Sequence, residues 1–225
     1  MSTNFLDELE RILSQQQPEP PYDNRHQLHD LSPSPRKTES ELEAERVEYL
    51  SRRRESVRRN APREGWPLRA LESADVHTNT DAVQKAMAWD YSARNVAVLS
   101  GPPGTGKTVA AATWMLHTTW DMQFVRSATF AASSRYDQET RERWFGATGL
   151  VLDDLGAEYL DGKGSFMVDL DELIDTYYGN RRPLIITTNL TADEFKKRYG
   201  SRVEDRIREC AQWITVAGAS MRRAT

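Results

Sequence analysis

The segment 96–118 constrains the fold of this chain most, because a glycine-rich turn in it joins a short apolar run to a second apolar stretch. Val96–Ser100 has the length and composition of a buried strand, and Thr108–Thr118 has those of a helix. The turn between them, GPPGTGKT at 101–108, matches the spacing G-x-x-x-x-G-K-[ST] in full. A chance glycine-rich turn is the alternative, and the flanking strand and helix argue against it. The segment therefore predicts a strand–loop–helix unit at the centre of an α/β domain.

The composition of this loop suits the phosphates of ATP. Glycines let successive main-chain N–H groups turn inward around an anion, and the helix that follows directs its positive end at the same point. We expect Lys107 to lie on the β- and γ-phosphates and the Thr108 hydroxyl to ligate Mg²⁺. The predicted ATP-binding residues of the loop are Gly101, Pro102, Pro103, Gly104, Thr105, Gly106, Lys107 and Thr108.

Two later apolar runs end in polar side chains. GLVLDDLGAE at 149–158 places Asp153 and Asp154 after a strand, which is typical of a Walker B element. We expect Asp153 to hold Mg²⁺ through water and Asp154 to orient the attacking water, with an ordinary strand-ending turn as the alternative. Asn189 follows the apolar run Leu184–Thr188 and is predicted to position water near the γ-phosphate, although asparagine is also common in turns.

Beyond residue 74, short apolar runs alternate with helical patterns. Continuous apolar strands separated by helices predict a parallel sheet covered on both faces, the three-layer sandwich of a P-loop NTPase. The predicted strands are Val96–Ser100, Gln123–Ser127, Leu150–Asp153, Leu184–Thr188 and Trp213–Val216. The predicted helices are Thr80–Tyr91, Thr108–Thr118, Phe130–Phe145, Phe166–Tyr178, Ala192–Tyr199 and Val203–Cys210.

The chain before residue 74 has a different composition and divides into three parts. Residues 1–17 are predicted to form an amphipathic helix that binds a partner, since their apolar side chains fall on one helical face. These side chains are Phe5, Leu6, Leu9, Ile12 and Leu13. The alternative is that this helix folds back onto the main domain. Residues 18–37, rich in proline, are predicted to be a flexible linker, and residues 38–73 a charged helical extension before the ATPase domain at 74–225.

Inside the charged extension, a helix is predicted over Glu39–Asn60, and its arginines at 52–54 are clustered. Such a run is either a solvated helical face or a phosphate contact. A formal net charge of -4 argues against a uniformly basic nucleic-acid binder but allows a local basic face. The single cysteine, Cys210, excludes an internal disulfide, and a reducing, cytoplasmic setting is expected. No apolar run approaches the length of about 18 residues of a membrane span, so no membrane partner is expected.

Together these motifs resemble the DnaC/IstB branch of the AAA+ ATPases, over residues from about 62 to the C-terminus. DDLGAE and TTN are fairly specific to that branch. The resemblance implies that Asn189 is the sensor-1 residue. It also implies an arginine finger in YGSRVEDRIRE, with Arg206 as the first choice and Arg202 as the second. A sensor-2 arginine closes a G-x-S-x-R pattern in the family, which implies that Arg222 contacts the nucleotide. Surface salt bridges are the alternative role for all three arginines.

Some features depart from the family pattern. The zinc-binding N-terminal domain of certain helicase loaders is not found, and the chain ends just after Arg222, so no separate helical lid domain is expected. Asp154 stands where many AAA+ proteins have glutamate, although Asp-Asp is common in this branch.

Members of this branch load a replicative helicase onto single-stranded DNA or assist a transposase in choosing target DNA. Both kinds act as ATP-bound rings or spirals. The resemblance therefore implies an ATP-hydrolysing homo-oligomer on DNA, with a replicative helicase as the expected partner and a transposase as the alternative. A metabolic P-loop kinase would need a substrate lid and a catalytic base, which the sequence does not indicate. A pure interaction protein with a decayed site is disfavoured because Lys107, Thr108, Asp153 and Asn189 are intact.

Overall fold

The computed structural model describes residues 38–118, 120–133, 137–160, 164–218 and 220. The predicted helix at 1–17, the predicted linker at 18–37 and Arg222 lie outside these residues. The helices are α1 (Glu39–Asn60), α2 (Leu68–Val76), α3 (Asp81–Met87), α4 (Lys107–His117), α5 (Ser127–Ser133), α6 (Gln138–Gly146), α7 (Ser165–Gly179) and α8 (Ala192–Cys210). The strands are β1 (Val96–Ser100), β2 (Met122–Arg126), β3 (Gly149–Leu155), β4 (Leu184–Thr188) and β5 (Ala211–Thr215). Across the described part of the chain, no helix has both the length and the hydropathy that a membrane crossing needs.

The sheet has five parallel strands in the order β2-β3-β4-β1-β5. Because all strands run the same way, their carboxyl ends meet at one edge. There Ser100 at the end of β1 lies beside Thr188 at the end of β4, and Thr188 lies beside Leu155 of β3. The ends of β1, β3 and β4 therefore bring together the three segments that the sequence singled out.

Both faces of the sheet are covered, as the sequence predicts. Successive side chains of a strand point to opposite faces. In β1, Ala97 and Leu99 pack with the apolar faces of α2, α3 and α4. Val96 and Val98 belong to a second buried cluster, with residues of α5, α6, α7 and α8. The predicted three-layer sandwich with a parallel sheet is confirmed.

Two predicted helices differ from the structure, and one helix of the structure was not predicted. The predicted helix Phe130–Phe145 is wrong as one element, because Asp137 accepts a hydrogen bond from Thr140 N at 3.1 Å and so begins α6 separately from α5. The predicted helix at 80–91 is shorter and ends at Met87. Helix α2 was not predicted, because its buried face consists largely of small side chains that give a weak apolar pattern among charged neighbours.

Residues 61–66 form a turn along the outer edge of β2, and we call this segment the edge strap. Glu64 O accepts from Phe124 N at 2.9 Å, and the Trp66 indole N–H donates to Met122 O at 2.7 Å. Ala61 and Trp66 are also buried in the core that contains α4. The packed core therefore extends N-terminally of residue 74, the predicted start of the ATPase domain.

The arginines near the middle of α1 are not equivalent. The Arg53 side chain is only 8 % exposed, and it donates to Met115 O at 3.1 Å and to Trp120 O. Arg54 donates to Leu116 O at 3.2 Å. Both therefore satisfy carbonyl groups at the C-terminal end of α4, where the helix dipole favours a cation. Arg52, by contrast, is 78 % exposed and pairs with Glu48.

Candidate functional site

The loop 101–108 folds around its own lysine. Gly106 has φ 87°, a left-handed conformation that starts α4 immediately after the loop. The Lys107 ammonium donates to Gly101 O at 2.6 Å, to Pro102 O at 2.8 Å and to Asn189 Oδ1 at 2.9 Å. The Lys107 ammonium is therefore held between the first residues of the loop and the residue after β4, where it could contact an anion bound in the loop.

Asp153 is a buried carboxylate that receives two hydroxyl groups. Thr108 Oγ1 donates to Asp153 Oδ1 at 2.8 Å, and Thr187 Oγ1 donates to the same atom at 2.7 Å. Burial raises the pKa of Asp153, and the negative charge of Asp154 adds to the rise, whereas the two hydrogen bonds act in the opposite direction. Sequence reasoning assigned no role to Thr187, although its position in ITTN marks a polar side chain at a strand end.

The oxygen atoms of Thr108 and Asp153 fit a hard cation such as Mg²⁺, which prefers oxygen ligands and retains several waters. Among the described residues, no group of three or more His, Cys, Asp or Glu side chains could hold a metal ion. In nucleotide sites Mg²⁺ usually completes its coordination with phosphate oxygens and water, and a cation held by Thr108 and Asp153 would fit that pattern.

Asp154 has a strained backbone, with φ 58°. Left-handed conformations are uncommon outside glycine and occur often at functional sites. Its N–H donates to Thr187 Oγ1 at 2.9 Å, and its Oδ1 accepts from Asn189 Nδ2 at 3.0 Å. The Asn189 amide thus joins Lys107 on one side to Asp154 on the other, and the side chain of Asp154 remains exposed.

The segment after β5 crosses the loop closely. A Cβ atom at Gly101 would lie 2.3 Å from Val216 O, and one at Gly104 would lie 2.2 Å from Ser220 Oγ. Both loop positions therefore require glycine. Ser220 belongs to the predicted sensor-2 pattern and lies against the loop, whereas Arg222 lies outside the described residues.

The two candidate finger arginines lie on α8 and pair with α7. Arg206 binds Asp175 through two contacts, Nε–Oδ1 at 2.7 Å and Nη2–Oδ2 at 3.1 Å. Arg202 Nη2 lies 2.7 Å from Asp171 Oδ2, and its side chain is 84 % exposed. These partners are carboxylates of α7 rather than Asp153 or Asp154. The structure therefore brings together Lys107, Thr108, Asp153, Asp154 and Asn189, and leaves the two arginines on a separate helical face.

The phosphate loop, the paired carboxylates and the polar residue ending β4 define a P-loop nucleotide site in an AAA+ fold. The sequence profile of the IstB-like ATP binding proteins matches residues 34–225. The chain belongs to this family, and its predicted resemblance to the DnaC/IstB branch is confirmed. No protein of curated function matches the sequence.

Solved structures with a similar fold include DNA replication proteins. The DnaC helicase loader is 18 % identical, with 60 % of this chain and 86 % of that chain covered and a TM-score of 0.47. Replication initiator DnaA bound to AMPPCP and single-stranded DNA is 18 % identical over 61 % of this chain, with a TM-score of 0.50. AMPPCP-bound DnaA from Aquifex aeolicus gives the same identity and TM-score. The match spans 45 % and 44 % of the two DnaA chains, and at this identity the likeness shows the fold alone.

Proposed function

We propose that this protein is a Mg²⁺-dependent ATPase that works as a homo-oligomer on DNA and loads a replicative helicase onto single-stranded DNA. The observation that carries the ATPase proposal is the continuous set of hydrogen bonds through Lys107, Asn189, Asp154, Thr187 and Asp153. It links the phosphate-loop cation to the carboxylates of β3 without a gap. Such pre-organisation suits a reaction in which catalysis is mainly positioning and charge stabilisation.

In the proposed mechanism each residue has one task. Lys107 exchanges its loop carbonyls for the β- and γ-phosphates. Thr108 and Asp153 would hold Mg²⁺, which would supply positive charge next to the phosphates. The attacking water would form a bond to the γ-phosphorus as the bond from that phosphorus to the bridging oxygen of ADP breaks, and Asp154 would accept the proton of the water. Asn189 would keep that carboxylate facing the Lys107 side of the site.

The proposed arginine finger comes from a neighbouring subunit. An arginine supplied in trans stabilises the charge of the transition state and raises the rate by about 10³-fold or more. Arg206 remains the first candidate from the sequence motif, and Arg202 is the second. In the isolated chain both are held by α7 carboxylates, so assembly would have to exchange these ion pairs for the neighbour's γ-phosphate.

Mixing two inactive variants tests this proposal. Lys107→Ala should fail to bind ATP with Mg²⁺ in isothermal titration, because the phosphates lose their main cation. Arg206→Ala should bind ATP but hydrolyse it slowly. A mixture should regain part of the ATPase activity, because each variant supplies what the other lacks. Arg202→Ala in place of Arg206→Ala identifies which arginine acts. Wild-type affinity in Lys107→Ala would exclude the loop as the site, and no regain at any ratio with either arginine variant would exclude the shared site.

A transposition helper is the second candidate function, and the match to the IstB-like profile favours it. In that case the partner is a transposase and the DNA is a target duplex. The two candidates share the ATP site and differ in the partner. Pull-down with full-length protein and ATP, against a replicative helicase and a transposase encoded near its gene, decides between them. Capture of the transposase alone would favour the second candidate.

A further inference from the structure

Glu158 is a buried carboxylate that the proposed reaction does not use. It lies in the loop after β3, four residues beyond Asp154, and its side chain has no exposed surface. One oxygen, Oε1, accepts from Arg198 Nε at 3.1 Å, from Arg198 Nη2 at 3.0 Å and from Tyr199 OH at 2.6 Å. The other, Oε2, accepts from Gly156 N at 2.8 Å. Each of these hydrogen bonds joins the carboxylate to either the turn after β3 or α8.

Arg198 adds further hydrogen bonds between Glu158 and α8. Its Nη2 also donates to the main-chain carbonyl of Glu158 at 2.6 Å, so the guanidinium holds both the side chain and the backbone of that residue. Tyr199 is buried, and its burial together with the Glu158 carboxylate raises its pKa, so the hydroxyl keeps its proton and donates. A buried carboxylate with this many donors tolerates little movement, because any lost partner leaves an uncompensated charge.

The next residue along the chain is a break in α8. Gly200 has φ 82° and ψ 171°, a conformation nearly exclusive to glycine, and it divides α8 into halves before and after it. The half after the break carries Arg202 and Arg206. The cluster of Glu158, Arg198 and Tyr199 therefore sits at the base of the helix that holds both candidate finger arginines.

We propose that Glu158 is a positioning residue that fixes the first half of α8, and through the break at Gly200 the arginine-bearing half, relative to the end of β3, which carries Asp153 and Asp154. Asp153 and Asp154 belong to a subunit's own nucleotide site, whereas Arg206 or Arg202 of the same subunit acts on its neighbour's site. Glu158 would then connect these two sets of residues rigidly within one subunit. The inference rests on the proposed shared ATP site. It adds a residue that acts through Arg206 or Arg202 and touches neither nucleotide nor Mg²⁺.

The test places Glu158→Gln on one side of the shared site at a time. In the mixture, Lys107→Ala protein is the donor, since it contributes only an arginine. Arg206→Ala protein, or Arg202→Ala if that arginine proves to act, is the acceptor, since it contributes only a nucleotide site. Glu158→Gln in the donor should lower the restored kcat at least about five-fold and leave the KM for ATP within about two-fold. In the acceptor it should change the restored kcat less than about two-fold, because the acceptor's own arginine is not used.

Two further variants guard the result. Tyr199→Phe removes one hydrogen bond to Glu158 and keeps the packing. Placed in the Lys107→Ala protein, it should therefore also lower the restored kcat, by about two-fold, and it serves as the test if Glu158→Gln fails to fold. Glu172→Gln removes another ion-paired glutamate, bound to Arg141 on α6, and should leave restored kcat unchanged.

The outcomes separate the inference from the function on which it rests. If the parent mixture regains activity and the Glu158→Gln and Tyr199→Phe donors restore it as well as the parent donor, the inference is wrong and the shared site stands. Equal losses on donor and acceptor sides would mean a general folding role and would also overturn it. If the parent mixture regains nothing, the shared site and the inference fail together.

Discussion

The side-chain amide of Asn189 contacts a positive charge and a negative charge at the same time. Its oxygen accepts from the Lys107 ammonium, and its nitrogen donates to the Asp154 carboxylate. This pairing fixes which way the amide faces, since the reverse orientation would set like dipoles against both partners. The Asn189 side chain therefore couples Lys107 and Asp154, so that a change at either charged group alters the hydrogen bonding of the other.

At this scale we predict the effect of Asp154→Asn. ATP binding should remain near wild type, while turnover falls on the order of 10²- to 10⁴-fold, because the general base is lost. Melting temperature should hardly change, since asparagine tolerates a positive φ almost as well as aspartate. Asp154→Ala is the matched control: it should lose the same activity and in addition about 1–2 kcal/mol of stability from left-handed strain. Phosphate release and thermal melts measure both effects. Normal turnover in Asp154→Asn would exclude Asp154 as the general base.

Helix α8 contains a break whose geometry is set by one residue, Gly200. The chain continues as a helix on both sides of Gly200, and the break between them sets the direction of the second half. A Cβ atom added at Gly200 would have no atom within 4 Å, and the same holds at Gly179, the last residue of α7. The two glycines differ in backbone conformation, because Gly200 has a positive φ and Gly179 does not.

We therefore expect Gly200→Ala to destabilise the protein by about 1–3 kcal/mol, since a side chain does not fit its φ and ψ. Gly179→Ala should be neutral or stabilising by about 0.4–1 kcal/mol, because it only restricts the unfolded chain. Urea denaturation of the two variants measures the difference. Equal stabilities would mean that the break at Gly200 is not a fixed feature of the fold.

The α1 helix gives a second pair of variants at the element scale. Arg53→Ala should destabilise by about 1–3 kcal/mol, because carbonyls at the end of α4 lose a buried, charged donor. Arg52→Ala should stay within about 0.5 kcal/mol, as is usual for an exposed surface position. Thermal melts distinguish them. If Arg52→Ala, and not Arg53→Ala, lowers both single-stranded DNA affinity and its salt dependence, the phosphate contact belongs to the exposed arginine. A stable Arg53→Ala would contradict the capping role.

How far the sequence predicts the site depends on the range of the interactions. Lys107, Thr108 and Asp153 belong to motifs with local spacing, so the sequence alone identifies them. It does not reveal the roles of Thr187 and Glu158, because Thr187 acts across the pairing of β3 with β4 and Glu158 acts on residues about 40 positions away. The division between α5 and α6 was missed for a local reason, a helix cap at Asp137 inside a mixed apolar and polar run.

At the scale of the whole molecule, the two buried cores lie on opposite faces of one sheet. The stripe of Phe5, Leu6, Leu9, Ile12 and Leu13 lies outside the described residues and remains a prediction from sequence. A short amphipathic helix is marginal alone in water and needs a groove in which to bury its apolar face. We propose that this groove belongs to the replicative helicase.

Deletion of residues 1–17 tests this assignment. Basal ATPase activity and melting temperature should stay near wild type, while helicase binding should be lost in a pull-down. Leu9→Asp should have nearly the same effect, because it puts a charge in the centre of the stripe. Ser14→Asp, a charge placed outside the stripe, is the control and should bind normally. A sharp fall in melting temperature on deletion would mean that the helix belongs to the folded core, and retained binding would contradict the helicase assignment.

The edge strap has a consequence for solubility. A sheet edge with free N–H and C=O groups can pair with the edge of another molecule. By engaging Phe124 N and Met122 O, the strap leaves less of β2 open to such pairing. Gly65, at φ 83°, comes so close to Phe124 O that a Cβ atom would lie 2.4 Å from it. A side chain at Gly65 would lift the strap, and the first sign would be precipitation that rises with protein concentration, ahead of any loss of nucleotide binding.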